Sequence, residues 1–212
     1  MTLNLYLLRH GETTYSRTGA HCGWIDPDLT PEGLKMAESF ADVYKNVQWN
    51  AVYSSPMKRT LATAEPICKM LHIQPEVRIG LKEIHYGEWE GQTLAAVLEK
   101  YPENYQRWKS EPAWNAPAGG ETGLQVANRA LGVVAEITQS YPSGDVLIVA
   151  HKATIRIILC NLLGIEQGRY RDRLDIPACS VSVVAMGKGG PMLKALGDRY
   201  HLDESLRNLP GT

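Results

Sequence analysis

Cysteine is scarce in this chain, and most features that mark a special class of protein are missing. Among 212 residues there are four cysteines, Cys22, Cys68, Cys160 and Cys179. No two stand at C-x-x-C spacing, and a chain of this length can bury enough surface to fold without covalent staples. Free thiols in a reducing cytoplasm are therefore expected. An excess of one charge is missing too. The formal net charge is -1, so no bulk basic field favours nucleic acid. No window approaches the ~20 apolar residues of a membrane span. The first residues lack the basic and apolar regions of a secretory signal. There are no internal repeats and no low-complexity stretches. These absences predict one cytoplasmic domain over residues 1–212, without nucleic-acid or membrane partners.

What is present reads as alternating strands and helices. Residues 3–8 form a near-continuous apolar run, the pattern of a central buried strand. Residues 14–28 look like a loop. Thr30-Pro31-Glu32 is a helix start, with a capping hydroxyl, a proline at the first helical position and an early acid. The helix that follows is expected to bury Leu34, Ala37, Ala41 and Tyr44. Residues 51–55 are a second strand. Ser55-Pro56 opens a second helix by the same logic, putting Lys58, Arg59 and Thr60 in its first turn, and Pro66 should kink or divide it. Residues 77–79 suggest a short third strand. Residues 93–110 read as one or two helices broken at Pro102, and 111–120 as a loop. A helix over 122–141 precedes the clearest buried strand, 145–150. Another helix follows at about 154–163, then an antiparallel hairpin over 179–186 and 192–196. The last fifteen or so residues look irregular. This order predicts an α/β fold: a three-layer sandwich with a mostly parallel central sheet, an antiparallel edge strand, helices on both faces and a small inserted cap at about 88–120.

Two of these strands end in the same chemistry. The first ends in Arg9-His10 and the strand before residue 151 in His151-Lys152. Parallel strands put both ends on one edge, where open α/β sheets bind ligands. Arg59 and Glu83 also follow strands and can reach that edge. Two histidines, two arginines, a lysine and one carboxylate would suit a phosphate dianion. Arginine offers a planar donor fork matched to phosphate oxygens. A neutral histidine can attack phosphorus and carry the group covalently. Surrounding positive charge stabilises the equatorial oxygens during transfer, and a carboxyl group can give the leaving oxygen a proton. Arginine and histidine supply the positive charge, so no metal and no cofactor are expected. His21 and His72 are read as surface or loop residues, His85 and His201 as structural, and Glu88 and Glu90 as a solvated face.

Several blocks carry a family resemblance. Leu8-Arg9-His10-Gly11-Glu12-Thr13 resembles the R-H-G-E-T signature of the histidine phosphatase superfamily, the phosphoglycerate mutase-like proteins. Residues 23–33 resemble its G-W-x-D-x-x-L-T-x-x-G, residues 54–60 its S-S-x-L-x-R-T, and residues 81–91 its L-x-E-x-x-x-G-x-x-E-G. Pro117-Ala118-Gly119-Gly120-Glu121 and the run from Val146 to His151 complete the set, in family order. The resemblance implies that His10 is the nucleophile that becomes phosphohistidine and that Arg9 and Arg59 bind the phosphoryl group. Glu83 is then the general acid and later the base that activates water, His151 steadies the phosphoryl group, and Glu121 supports the pocket from behind. Ser16, Cys22, Gly23 and Lys152 are the candidate substrate-binding residues. Three of these depart from the family pattern: Ser16 where asparagine is frequent, Cys22 where glutamine or threonine is, and Lys152 where glycine usually follows the second histidine.

The implied activity is metal-independent hydrolysis of a small phosphorylated metabolite, by a phosphoric monoester hydrolase of the histidine acid phosphatase type. The short insertion favours hydrolysis over the alternative of a cofactor-dependent phosphoglycerate mutase, which must close a bisphosphate away from water. A non-catalytic protein that binds phosphorylated ligands is the other alternative. Monomer and homodimer are both open, with the hairpin edge as a pairing surface.

Overall fold

The computed structural model describes residues 2–209. The chain begins with strand β1 (Leu3–Arg9), the short helix α1 (Thr14–Thr18) and helix α2 (Pro31–Tyr44). Strand β2 (Trp49–Ser54), helix α3 (Lys58–Leu71) and the two-residue strand β3 (Glu76–Val77) follow. Between β3 and the long helix α6 (Gly123–Ser140) lie α4 (Leu94–Lys100) and α5 (Pro102–Ser110). Then come β4 (Gly144–Ala150), α7 (Lys152–Leu163), the one-turn α8 (Tyr170–Arg173), β5 (Val181–Gly187), β6 (Gly190–Asp198) and α9 (Glu204–Arg207).

The six strands form one sheet in the order β3-β2-β4-β1-β5-β6. β1, β2, β3 and β4 run parallel, and β5 and β6 are antiparallel. The antiparallel edge is thus a pair of strands. The alternation of side chains along a strand sorts the core onto two faces. Leu3, Leu5 and Leu7 of β1 join Val146, Ile148 and Ala150 of β4 beneath α6 and α7. Leu8 of β1 joins Leu147 and Val149 of β4 beneath α2 and α3. Both faces are covered, so the central strands read as unbroken apolar runs.

The departures from sequence expectation are local. Residues 14–18 are a helix, because Thr13 and Ser16 form a reciprocal capping box. Leu34 is exposed, and α2 instead buries Gly33, Met36, Ala37, Phe40 and Ala41. α3 starts at Lys58 with no cap from its own N-cap residue, Met57. Asp26 caps it from a distant loop, its Oδ2 accepting the Lys58 N–H at 2.7 Å. α3 also continues through Pro66 without being divided. The third strand is shifted to Glu76–Val77, and residues 79–81 form a 3-10 turn. The C-terminal region contains α9. Trp89, Val97, Tyr105 and Trp108 form a small hydrophobic cluster separate from the two sheet faces, so the segment over 88–120 has an apolar centre of its own.

β1 and β4 are neighbours in the sheet. From their carboxyl ends the chain departs to opposite faces, toward α2 on one side and α7 on the other. That is a topological switch point, where an open α/β sheet leaves a crevice. A close backbone approach fixes one wall of it. A Cβ on Gly33 would sit 2.2 Å from the carbonyl oxygen of Glu12, and one on Gly11 would sit 2.5 Å from that of Gly33. We expect Gly33→Ala to destabilise the fold by ~1–3 kcal/mol. Gly132→Ala, in exposed α6 with no atom within 4 Å of the added carbon, should stabilise by ~0.5–1 kcal/mol. Urea unfolding of the two variants checks both signs.

Candidate active site

The crevice is a cavity of ≈ 220 Å³ whose walls include Arg9, His10, Ser16, Cys22, Gly23, Arg59, Glu83 and Lys152. The hexapeptide at the end of β1 divides its labour. Arg9 is buried and donates from Nη1 to the Ile176 carbonyl at 2.8 Å. Gly11 permits the contact with α2 and donates its N–H to Thr63 Oγ1 at 2.9 Å. Glu12 is buried, accepts from Thr30 Oγ1 at 2.7 Å and pairs with Arg17. Thr13 caps α1.

His10 is buried, with Nδ1 2.7 Å from the Gly11 carbonyl oxygen. A carbonyl only accepts, so Nδ1 carries the proton and Nε2 keeps its lone pair. Burial, followed by the charges of Arg59 and Arg9, holds the His10 pKa well below its ordinary 6.5, while the Gly11 bond opposes them. The ring is thus neutral rather than an imidazolium. His151 lies with its ring centroid 5.3 Å from that of His10. It is wholly buried and stands behind Arg59, outside the cavity lining. Its Nδ1 accepts from Arg59 Nε at 3.2 Å, so its Nε2–H donates to Ser55 Oγ at 2.9 Å. Burial first, then Arg59 and His10, lower its pKa as well.

Arg59 is 1% exposed. Besides His151 it bonds the carbonyls of Ile25 at 2.8 Å and Gly23 at 2.9 Å, and Asp26 Oδ1 at 3.3 Å. These bonds leave one N–H of the guanidinium fork uncommitted. Gly23 therefore contributes its carbonyl to Arg59, from a backbone with φ of +51°. The loop it belongs to is closed by Glu90, which accepts from the N–H groups of Trp24, Ile25 and Tyr86. Glu90 is thus an internal clamp, and of the expected solvated pair only Glu88 is exposed.

Glu83 lies against the N-terminus of α7. Its carboxylate accepts the N–H groups of Ile84, Ala153 and Thr154 and the Thr154 hydroxyl, at 2.9 to 3.2 Å. The backbone carrying Glu83 is gripped from behind by Arg129, which donates to the carbonyls of Gly80, Lys82 and Glu83. Glu121 binds Arg129 in a two-pronged pair, both contacts 2.9 Å, and accepts the His85 N–H. Glu121 therefore supports the pocket through Arg129, a residue with no local sequence signal.

The remaining expected residues line the cavity with different contacts. Ser16 Oγ is engaged with the Thr13 backbone, accepting from its N–H at 2.8 Å and donating to its carbonyl at 2.9 Å. Cys22 Sγ donates to the Ile25 carbonyl, and burial pushes its thiol up to about 11. Burial beside Arg9 and Arg156 pushes the Lys152 ammonium down to about 8. His21, expected to be a surface or loop residue, is in a loop that lines the cavity, and packs on Tyr86 and Trp89. Tyr86, Trp108, Arg156, Tyr170 and Arg171 also line it. Of these, Tyr86 lies within the 81–91 block and Arg156 stands five residues after His151, while the other three carry no motif signal. Among the described residues, no group of three His, Cys, Asp or Glu side chains is disposed to hold a metal ion.

The fold and this cavity define an α/β protein with a cationic, histidine-bearing crevice at the carboxyl edge of its sheet. The family model of the histidine phosphatase superfamily (branch 1) matches residues 5–199, and the chain belongs to that superfamily. Phosphoserine phosphatase 1 of Hydrogenobacter thermophilus is 32% identical over 202 residues, 95% of each chain. The metal-independent phosphoserine phosphatase of Arabidopsis thaliana is 34% identical over 157 residues, 73% of this chain and 66% of its own. Among solved structures, Bacillus stearothermophilus YhfR superposes with a TM-score of 0.88 at 28% identity, covering 95% of this chain and all of its own.

Both buried histidines have folded-state pKa values below the unfolded value of 6.5. Their contribution to stability is therefore present above pH 6.5 and lost as the pH falls below it, because the unfolded chain binds those protons first. The same holds for His201, pushed down to about 4 by burial, with a loss of ~3 kcal/mol across that window. Imidazole ¹⁵N NMR should find His10 and His151 neutral at pH 6, and urea titrations should show unfolding free energy declining below pH 6.5.

Proposed function

We propose that this protein is a metal-independent phosphomonoesterase that hydrolyses a small phosphorylated metabolite through phosphohistidine. One observation carries the reading: His10 presents an unprotonated Nε2 to a cavity whose nearest cations are Arg9 and Arg59 and whose single carboxylate is Glu83. Family membership and the phosphatase names of the relatives support it.

In the proposed cycle His10 Nε2 attacks phosphorus as the ester P–O bond breaks. Glu83, which enters this step as the carboxylic acid and leaves it as the carboxylate, gives its proton to the leaving oxygen, so that an alcohol departs. The carboxylate then takes a proton from water, the hydroxide attacks phosphohistidine, and inorganic phosphate leaves with His10 restored. Arg9, and the uncommitted N–H of Arg59, stabilise the equatorial oxygens during both steps. His151 tethers Arg59 from behind. Arg129 and Glu121 set the position of Glu83. The segment over 88–120 is the cap, contributing Trp108 to the cavity wall. The class is a phosphoric monoester hydrolase of the histidine acid phosphatase type. No helix among the described residues is long and apolar enough to cross a membrane. All four cysteines are free, which supports a reducing cytoplasm. A monomer or a homodimer paired through the β5–β6 edge is the expected state.

Wild-type protein should release phosphate from a chromogenic phosphate ester with EDTA present, and inhibition by EDTA would end the metal-free reading. His10→Ala should abolish turnover, and Glu83→Gln should lower kcat by ~10²–10⁴. Acid-labile, alkali-stable labelling from ³²P-substrate should appear in wild type and vanish in His10→Ala. Fast formation of 2-phosphoglycerate from 3-phosphoglycerate primed with bisphosphate would instead identify a mutase.

A separate expectation concerns Arg129, which does not itself line the cavity but holds the backbone of Glu83, which does. Arg129→Met should lower kcat by ~10-fold or more through displacement of Glu83. KM should change little, because the groups that hold the phosphoryl group stay in place. Steady-state kinetics on the chromogenic ester separates the two parameters.

A further inference from the structure

The cavity holds more positive charge than one phosphoryl group engages. Its charged walls are Arg9, Arg59, Lys152, Arg156 and Arg171 against Glu83 alone. Arg9 and Arg59 are the cations that act on His10, and they account for the phosphoryl group. The other three continue the positive wall beyond Arg9: Lys152 is acted on by Arg9 and Arg156, and Arg156 and Arg171 both stand near Tyr86 and Tyr170. Lys152 and Arg156 stand one turn apart on the same face of α7, a spacing at which like charges repel. Lys152 is half-buried and has no ion pair among the described residues. Arg156 reaches Asp175 at 3.8 Å, but that carboxylate is 84% exposed. The Arg156 Nε is buried with no hydrogen-bond partner. Arg171 lies over the Trp108 ring at 3.7 Å, which steadies its guanidinium without neutralising it. Partly desolvated cations gathered in this way are unfavourable unless an anion joins them.

The cluster's location identifies which part of a ligand it would meet. Lys152 precedes Ala153, whose N–H binds Glu83 Oε2. Glu83 is the proposed proton donor to the leaving oxygen, so Lys152 stands on the leaving-group side. We propose that Lys152, Arg156 and Arg171 form a second anion subsite, and that the substrates are small phosphate esters whose alcohol portion carries its own carboxylate or second phosphate. This rests on the phosphatase reading of the same cavity. Its volume of ≈ 220 Å³ suits a compact alcohol.

The test uses matched pairs. 3-Phosphoglycerate and glycerol 3-phosphate differ only by carboxylate against hydroxymethyl, and fructose 1,6-bisphosphate and fructose 6-phosphate differ by a second phosphate. In wild type, kcat/KM should favour the more anionic member of at least one pair by ~10-fold or more, and the pair that responds identifies the anion. Lys152→Gln and Arg171→Gln should each reduce that ratio ~10-fold, and Lys152→Arg should retain it. Each ratio is taken within one preparation, so partial misfolding cancels. A wild-type ratio near one for both pairs, or ratios unmoved by both glutamine variants, overturns the subsite while leaving the phosphatase reading intact. If no ester releases phosphate, that reading fails, and calorimetric binding of the same pairs decides the subsite. Tighter binding of an anionic member, lost in Lys152→Gln, sustains it, and equal binding of both members ends it.

Discussion

The burial of Arg59 is the constraint on which the rest of the site depends. A guanidinium that is 1% exposed must have nearly all its donors satisfied or the fold loses several kcal/mol. This one is satisfied by two carbonyls, a carboxylate and a histidine ring drawn from two separate parts of the chain. The loop bearing Gly23, Ile25 and Asp26 is thereby fastened to α3. Asp26 in turn caps α3, and Glu90 secures the loop's other side. A cation that serves the cavity thus also organises the segments that enclose it.

The same accumulation of positive charge sets the state of the histidines. Arg59 and Arg9 act on His10 in a buried setting, so its ring stays neutral. Neutrality is what the proposed nucleophilic attack requires, and the Gly11 carbonyl leaves Nε2 as the nitrogen with a free lone pair. The site therefore gives up stability in acid to keep both histidines neutral at neutral pH. Glu83 is the counterweight, and its backbone is itself anchored by a half-buried pair, Arg129 with Glu121. Charge is balanced in layers: carbonyls and carboxylates behind, cations in front, and a surplus of cations facing the cavity.

Much of this was legible in the sequence because it is encoded locally. The apolar runs of β1 and β4, the cap-and-proline start of α2, the break at Pro102 and the hairpin over 181–198 are short-range signals. His10, Arg9, Arg59 and Glu83 were legible because they sit at element ends within motif blocks. Other features depend on partners far away in the chain. The start of α3 was misplaced because its cap, Asp26, lies 32 residues earlier. Glu90 looked solvent-facing because the three N–H groups it accepts come from two loops. Leu34 failed as a core residue because the buried stripe of α2 is rotated toward Met36 and Phe40. His151 was expected to steady the phosphoryl group, and the sequence did not show that its Nδ1 would also accept from Arg59.

The sequence by itself determined the element order, the candidate site residues and the sheet edge at which they gather, because hydrophobic period, turn chemistry and strand-end motifs act over a few residues. Only the tertiary structure decided which of His10's nitrogens is free, which carbonyls hold Arg59, that Arg129 anchors Glu83, and that Lys152, Arg156 and Arg171 share one wall. Those outcomes depend on hydrogen bonds and charges between segments tens of residues apart, and their partners are chosen by the packing of the sheet and its helices rather than by any neighbouring residue.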